Sequence, residues 1–146
     1  MNSLTDLGYW YGANRGDKRA IDIFMRHYTA PDIRPVNHSI GAPGEIMVLL
    51  TSRADALFIW TKQRYRADGQ TGVNCAVFRN ESSIRASDLI HEAMNFAWQR
   101  WHNERLFTFV NPAKIKSSNP GYCFKMAGWE CCGKTKKGLT ILEAYP

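Results

Sequence analysis

The sequence predicts an α/β fold with one mixed sheet, in which an antiparallel meander leads into a right-handed β–α–β crossover flanked by helices. Two apolar runs, Glu45–Leu50 and Ala56–Thr61, are joined by a short polar segment and precede a third, Val73–Phe78. After the third run, apolar residues recur every three or four positions, which is typical of an amphipathic helix. A length of 146 residues predicts a single domain, residues 1–146.

The first part of the chain contains one predicted helix between two turn-rich segments. Residues 1–16 hold three glycines among aromatic residues, so turns are expected there. Asp17 is the expected start of a helix over residues 17–28, because the apolar residues after it fall on one face. Residues 29–44 contain three prolines and two glycines, which predicts a long loop.

The stretch from Val73 to Trp101 is the centre of the predicted fold. Its strand leads through the turn at residues 79–83 into the helix, and Ser87 followed by Asp88 predicts the N-cap and a first-turn acid. Ser83 is the alternative N-cap, one turn earlier. A strand that runs into a helix N-terminus gathers backbone N–H groups and partial positive charge, which suits a phosphate. The alternative is an ordinary strand–helix junction that binds no ligand.

The C-terminal part predicts a strand, a short helix and two closing strands. Leu106–Val110 mixes β-branched and aromatic residues, and Pro112 ends that strand because proline donates no ladder hydrogen bond. A helix is expected over residues 120–127, with Gly128 in the C-terminal cap. The closing strands are predicted at residues 129–132 and 139–143.

The composition is that of a soluble globular protein, with 45% hydrophobic and 22% charged residues. No apolar run is long enough to cross a bilayer, and the N-terminus lacks the basic and apolar regions of a secretory signal. We therefore expect a cytoplasmic protein. Its cysteines are expected as free thiols in that reducing compartment. They are Cys75, Cys123, Cys131 and Cys132.

Positive charge is concentrated towards the C-terminus. The net charge is +6, and residues 112–137 contain six lysines against one acid, Glu130. Such a segment suits a nucleic-acid backbone or an anionic cofactor, although a solvated surface explains it equally well. Aromatic residues near lysines are what single strands or flipped bases stack on, and the chain has five tryptophans and six tyrosines.

The element order, together with VNCAVFRNE…SDLI and NPGYCFKMAGW, resembles the GNAT acyltransferase superfamily over roughly residues 17–144. The resemblance implies that Val73–Phe78 and Leu106–Val110 splay apart. It implies that acetyl-CoA or a related acyl donor enters the gap, with its pyrophosphate at the start of the following helix. The expected cofactor-binding residues are Phe78, Arg79, Ser82, Ser83, Arg85, Ala86, Ser87 and Asn111.

The phosphate-binding turn departs from the family pattern. When Leu89 and Ile90 are placed on the family's leucine pair, Glu81 falls on the basic position and Ile84 on the first glycine. Only Ala86 fits its position. Glycines there allow backbone N–H groups to approach a phosphate closely, and Glu81 is expected to repel it.

Two places supply candidates for proton transfer. The family's aromatic general acid falls on Phe124, which has no proton to donate, so Tyr122 and Cys123 are the expected substitutes. His27 and Tyr28 are a second candidate pair, since an imidazole titrates near neutrality and a phenol can donate or hold a proton. The alternative for this pair is a histidine that complements the helix dipole beside a buried tyrosine.

Glu81 is a further catalytic candidate. It is expected at the mouth of the cleft, where its carboxylate can act as a base or a metal ligand, or it is a surface turn residue with no role. The cysteine and histidine spacing contains no C-x-x-C pair and predicts no metal site. The resemblance leaves open a metal held by His27, Tyr28 and an acid, for which the spacing gives no support.

Within the superfamily, the sequence is most similar to small bacteriophage proteins related to the DNA-modification protein Mom. The likeness lies in His27-Tyr28, the turn at residues 78–81, Ser82-Ser83 and the segment at residues 119–121. It implies modification of adenine in DNA as an anti-restriction activity in the host cytoplasm. Trp10, Tyr11 or Tyr122 are expected to stack the extruded base. The expected DNA-binding residues are Arg64, Arg66, Lys114, Lys116, Lys134, Lys136 and Lys137.

Two alternative functions remain open from the sequence. One is an acyl-CoA-dependent N-acetyltransferase that acts on a protein or an aminoacyl-tRNA. The other is a non-catalytic binding protein with the same fold, which the missing glycines and Phe124 favour.

Overall fold

The computed structural model describes residues 8–27, 44–63, 66, 68–112 and 121–146. Its strands form one mixed sheet in the order β1-β2-β3-β4-β5-β7-β6. The strands are β1 (Trp10–Ala13), β2 (Glu45–Thr51), β3 (Ala56–Lys62), β4 (Val73–Asn80), β5 (Leu106–Val110), β6 (Glu130–Lys134) and β7 (Thr140–Ala144). The helices are α1 (Lys18–Phe24), α2 (Ala86–Arg100) and α3 (Tyr122–Met126).

The predicted mixed sheet flanked by helices is confirmed. Strands β1 to β4 form an antiparallel meander, and β4 pairs in parallel with β5 after the crossover through α2. The N-cap prediction for α1 is also confirmed, because the Asp17 carboxylate accepts the backbone N–H groups of Arg19 and Ala20. Helix α1 ends at Phe24, four residues before the predicted end, and Tyr28 lies outside the described residues.

The prediction of turns up to residue 16 is wrong, since Trp10–Ala13 form β1 at one edge of the sheet. This strand is held by contacts that are distant in sequence. The carboxylate of Glu92 on α2 accepts the N–H groups of Tyr9 and Trp10, and the Trp10 indole donates to the Leu89 carbonyl at 2.7 Å. A four-residue edge strand that contains a glycine has little local signal, so these contacts with α2 define it.

The predicted N-caps of α2 are wrong as well. The helix begins at Ala86 with Arg85 in the cap position, and no side chain caps it. Ser82 instead stabilises the turn before the helix, where its hydroxyl accepts the N–H of Ile84 at 3.1 Å. Asp88 lies in the first turn, as predicted.

Two hydrophobic clusters cover the two faces of the sheet. On one face, Ile21 and Ile23 of α1 pack against Leu57 and Val77. On the other face, α2 and α3 pack against a larger cluster that includes Trp60. The Trp60 indole donates to a carbonyl of α2, that of Ala93, at 2.9 Å. The structure therefore has three layers, helix–sheet–helix. Side chains of β4 extend into both helical layers.

The remaining predictions hold with shifted ends. Strand β5 has the predicted bounds, α3 is shorter than predicted, and the last two strands begin one residue later and end one or two residues later than expected. Gly128 has a φ of 97°, in keeping with its C-terminal position after α3. All four cysteines are free thiols, as predicted. Within the described part of the chain, no helix is both long and apolar enough to cross a membrane.

Candidate functional site

Strands β4 and β5 separate after three paired positions. Their parallel pairing runs from Val73 opposite Leu106 to Cys75 opposite Thr108. Beyond this point, among the described residues, β4 pairs only with β3, up to Asn80, and β5 pairs only with β7. The predicted splay is thus confirmed. We call the gap between residues 76–80 of β4 and residues 109–110 of β5 the wedge.

A β-bulge in β4 lies at the apex of the wedge. Cys75 pairs with Trp60 and Val77 pairs with Ile59, so Ala76 is an extra residue without a partner in β3. The Thr108 hydroxyl donates to the Cys75 carbonyl at 2.9 Å and ties the two strands together just before they part. Bulges redirect the backbone and its side chains, and they are frequent next to active sites. From Ala76 onward, no strand in the described part of the chain lies beside the edge of β4 that faces the wedge.

Helix α3 covers the wedge on the α2 side of the sheet. Gly121 has a φ of 79°, and a Cβ atom there would lie 2.5 Å from Leu142 Cδ1, so only glycine allows the helix to begin this close to β7. One turn later, the Phe124 ring meets the Phe78 ring of β4 edge-on, with 5.9 Å between centroids. These rings line the wedge on that side.

The two substitutes predicted for the aromatic general acid lie on α3. Tyr122 is 54% exposed, so its phenol is accessible. Cys123 is half-buried, and desolvation raises the pKa of its thiol. The thiol therefore stays protonated at neutral pH, where it is a weak nucleophile that retains a proton to donate.

His27 lies on the opposite, α1 side of β4. Its imidazole donates a hydrogen bond to the Phe78 backbone. Burial, followed by the positive charge of Arg79, lowers the pKa of His27 to about 4. The side chain is therefore neutral at pH 7. It lies against β4, one of the two strands that border the wedge.

Glu81 is held by two arginines. Arg26 donates Nε to Oε2 at 2.6 Å and Nη2 to Oε1 at 2.7 Å, and Arg79 donates Nε to Oε2 at 2.7 Å. The hydrogen bonds from Arg26 and then Arg79 lower the pKa of Glu81 to about 2. A carboxylate this acidic is a poor base at neutral pH, so the geometry favours a structural role. The two guanidinium groups also offset the repulsion that Glu81 alone would exert on an anion.

Arg26 was not identified from the sequence. It is separated from Glu81 by 55 positions, and no periodicity or spacing links the end of one helix to the turn before another. The pairing depends on the packing of α1 against β4.

The turn before α2 satisfies its own backbone groups. Asn80 Oδ1 accepts the N–H of Ser82 at 2.9 Å, and the Ser82 hydroxyl accepts that of Ile84. These N–H groups are therefore not donors for a phosphate. The start of α2 differs, because no side chain caps it and Arg85 is exposed there. Ser83 is exposed beside it, and Ser87 is half-buried in the first turn.

A polar cleft of about 320 Å³ adjoins this turn. It lies between the turn and the β2–β3 hairpin, and its lining includes Arg53, Ser82 and Ser83. On the other side of the wedge, Asn111 follows the end of β5 and is half-buried.

The structure separates the predicted nucleic-acid-binding residues into two groups. The side chain of Arg66 is only 14% exposed. It pairs with Asp68 at 2.7 Å and lies over the Phe107 ring. This geometry does not favour a contact between Arg66 and a phosphate. Other predicted cations are exposed on β6 and the β6–β7 turn. They are Lys134, Lys136 and Lys137. Arg64, Lys114 and Lys116 lie outside the described residues.

The prediction that Trp10 stacks an extruded base is wrong. Its ring is 3% exposed and packs edge-on against Phe58. Tyr11 and Tyr122 are exposed. Among the described residues, no group of three His, Cys, Asp or Glu side chains is placed to hold a metal ion.

Neither a protein-family model nor a curated protein sequence matches this chain. Solved structures do. The GNAT domain of S. lividans PAT superimposes with a TM-score of 0.66 at 16% identity, over 94% of this chain and 89% of that one. An acetyltransferase from Thermus thermophilus superimposes with a TM-score of 0.56 at 12% identity, over 94% of this chain and 97% of that one. This chain therefore has the GNAT fold.

Proposed function

We propose that this protein is an acyltransferase that takes an acyl group from a CoA thioester and transfers it to an amine. One observation carries the proposal: β4 and β5 part at a bulged residue, Ala76, in a chain with the GNAT fold. Of the two similar structures named above, one is an acetyltransferase and the other is a GNAT domain.

The wedge fits the extended part of such a donor. Beyond Cys75, none of the described strands neighbours this edge of β4, and an extended molecule with amide groups can pair with such an edge as an added strand does. The uncapped first turn of α2 can accept phosphate groups, with the exposed Arg85 beside them. The turn at residues 80–84 contributes less, because its N–H groups are already bonded.

Polar groups lie on both sides of β4. A bound thioester supplies an activated carbonyl carbon. His27 on the α1 side is neutral at pH 7, but its low pKa makes it a weak base, so in this proposal the amine attacks after it has lost one proton to solvent. Tyr122 and the protonated Cys123 thiol lie on α3, on the opposite side of β4, and are the candidate proton donors for the leaving thiolate.

A charge reversal at the start of α2 tests donor binding. Ala86→Glu should weaken acetyl-CoA binding by at least about tenfold, because a carboxylate would occupy the place of the phosphates. A glutamate in a first helical turn favours the helix, so the variant should fold at least as well as the wild type. Wild-type protein should gain about 3 kcal/mol of apparent stability at a hundredfold excess of acetyl-CoA over its Kd, measured by thermal unfolding.

Gln99→Glu is the matched control, since it adds the same charge at an exposed position near the other end of α2. It should retain the stabilisation by acetyl-CoA. If acetyl-CoA does not stabilise the wild-type protein, the proposed function is wrong.

A second candidate is transfer to a nucleobase in DNA. It is favoured by the exposed lysines on β6 and the β6–β7 turn. The Lys136→Ala/Lys137→Ala double variant should then bind DNA more weakly, with the slope of log affinity against log salt reduced by about 2, since each phosphate contact contributes about 0.9. Fluorescence anisotropy with duplex and single-stranded oligonucleotides measures this.

The control for DNA binding is the Lys18→Ala/Arg19→Ala double variant, which removes the same charge at two exposed positions on α1. Equal losses in both double variants would indicate unspecific attraction to a basic protein. Negligible affinity of the wild type at low salt would exclude DNA as a substrate.

A further inference from the structure

Arg79 is held by one end of its guanidinium group. Its Nε donates to Glu81, and Glu81 is fixed in turn by two hydrogen bonds from Arg26. Within the described part of the chain, no acceptor takes the terminal nitrogens Nη1 and Nη2 of Arg79. The side chain is 37% exposed, so this pair of parallel donors is both positioned and accessible.

Arg79 lies on the α1 face of the sheet. It pairs with Leu57 of β3, which belongs to the cluster covered by α1. Its neighbour in β4, Phe78, faces α3. The start of α2, where we place the donor's phosphates, belongs to the helix that packs on the opposite face. The Arg79 donors are therefore on the other side of the strand from the proposed phosphate site.

The positive charge of Arg79 reaches His27. After burial, it is the second cause of the lowered pKa of that imidazole. Arg79 and Arg26 share the Glu81 carboxylate, and Asp22 interacts with Arg26. The exposed Arg79 terminus, on the strand that borders the wedge, is therefore a cationic group that an acceptor bound there can reach.

We propose that the acceptor substrate is a small amine that also carries a carboxylate or phosphate group, and that Arg79 binds this anionic group. The inference rests on the proposed function. A fixed guanidinium with two terminal nitrogens free forms paired hydrogen bonds with either anion. Arg26 and Glu81 are positioning residues, because they act by orienting Arg79.

The transfer step follows from this placement. The acceptor's ammonium group gives one proton to solvent, and the nitrogen lone pair then forms a C–N bond with the thioester carbonyl carbon. The C–S bond breaks with its electron pair on sulfur. The nitrogen then loses its second proton, and the thiolate takes up one proton, either from solvent or from an acid on α3 that is reprotonated afterwards. An amide, the free thiol of CoA and one proton are the net products.

Matched pairs of acceptors test the proposal. The first pair is glycine and glycinamide, and the second is phosphoethanolamine and ethanolamine, so that carboxylate and phosphate are examined separately. Release of CoA thiol and the mass of the acylated amine are measured with acetyl-CoA as donor. The anionic member of at least one pair should have a kcat/KM at least about tenfold higher than its neutral partner.

Arg79→Gln should remove this preference through the KM of the anionic acceptor, while the KM for acetyl-CoA stays within about twofold of wild type. Arg79→Lys should restore part of the preference, because it keeps the charge and loses the paired donors. Arg19→Gln, which changes an exposed arginine on α1 that pairs with Asp17, should leave all constants unchanged.

The outcomes separate this inference from the function on which it rests. If acetyl-CoA neither binds nor is consumed, both are overturned. If acetyl-CoA binds but no anionic amine is preferred, or only a protein or DNA is acylated, the acceptor assignment alone fails. It fails also if Arg79→Gln raises the KM for acetyl-CoA instead, since Arg79 would then hold the donor's phosphates.

Discussion

Acidification from pH 7 to pH 5 should destabilise this protein by about 2 kcal/mol through His27, and by about 3 kcal/mol at pH 4. The pKa of His27 is lowered from 6.5 to about 4 in the folded state, first by burial and then by Arg79. Between these two values the unfolded chain binds a proton that the folded chain does not. The stabilising contribution is therefore complete above about pH 6.5 and is lost as the pH falls towards 4.

The measurement is the free energy of unfolding by urea at a series of pH values between 7 and 4. His27→Gln should flatten the dependence, because its side chain does not titrate. His102→Gln is the control, since that residue is exposed and its variant should keep the wild-type slope. Carboxylates also contribute to the dependence of stability on pH, and Glu81, whose pKa is lowered, is one of them. Their contributions are the same in all three proteins, so they cancel when the slopes of the two variants are compared with that of the wild type. Equal slopes for His27→Gln and wild type would show that the imidazole is not buried against β4.

Truncation of a buried carboxylate on α2 should have a similarly large effect. Glu92→Ala should lower the free energy of unfolding by about 3 kcal/mol, because it leaves two backbone N–H groups without an acceptor. The carboxylate is 2% exposed and accepts from Trp10 at 3.0 Å and from Tyr9 at 3.3 Å. Burial raises its pKa despite these hydrogen bonds, so the site already opposes the charged form.

Glu92→Gln should lose less, about 1 kcal/mol, because the amide oxygen still accepts one of the two N–H groups. Gln99→Ala, at an exposed position of the same helix, should change stability by no more than about 0.5 kcal/mol. Urea unfolding followed by tryptophan fluorescence measures all three. An effect of Glu92→Ala as small as that of Gln99→Ala would mean that β1 is not anchored by this residue.

Local patterns predicted the elements whose signal lies in consecutive residues. Strand β5 has the predicted bounds because β-branched and aromatic residues fill it and Pro112 follows it. Asp17 caps α1 as expected, since its side chain needs only N–H groups two and three residues ahead. The splay of β4 and β5 was implied by the likeness of the element order to a known fold, and the register confirms where the pairing ends.

The predictions that failed depended on distant contacts. Trp10 was expected at a nucleic-acid surface, but the carbonyl of Leu89 and the carboxylate of Glu92 bury it in a strand with almost no local signal. The predicted caps of α2, Ser87 and Ser83, were wrong because the helix begins at Ala86 with Arg85 in the cap position. Either serine satisfies the local rule for a cap, and where the helix begins depends on the path that the chain takes out of β4.

The sequence by itself determined the mixed sheet, the crossover helix and the absence of glycines from the turn at residues 79–86, since periodicity and residue type are local properties. Only the tertiary structure decided the state of the ionisable groups. Arg26 and Glu81 meet across 55 positions, and His27 becomes neutral by burial against β4. Charge and protonation depend on distance and solvent access in three dimensions, which the order of residues does not specify.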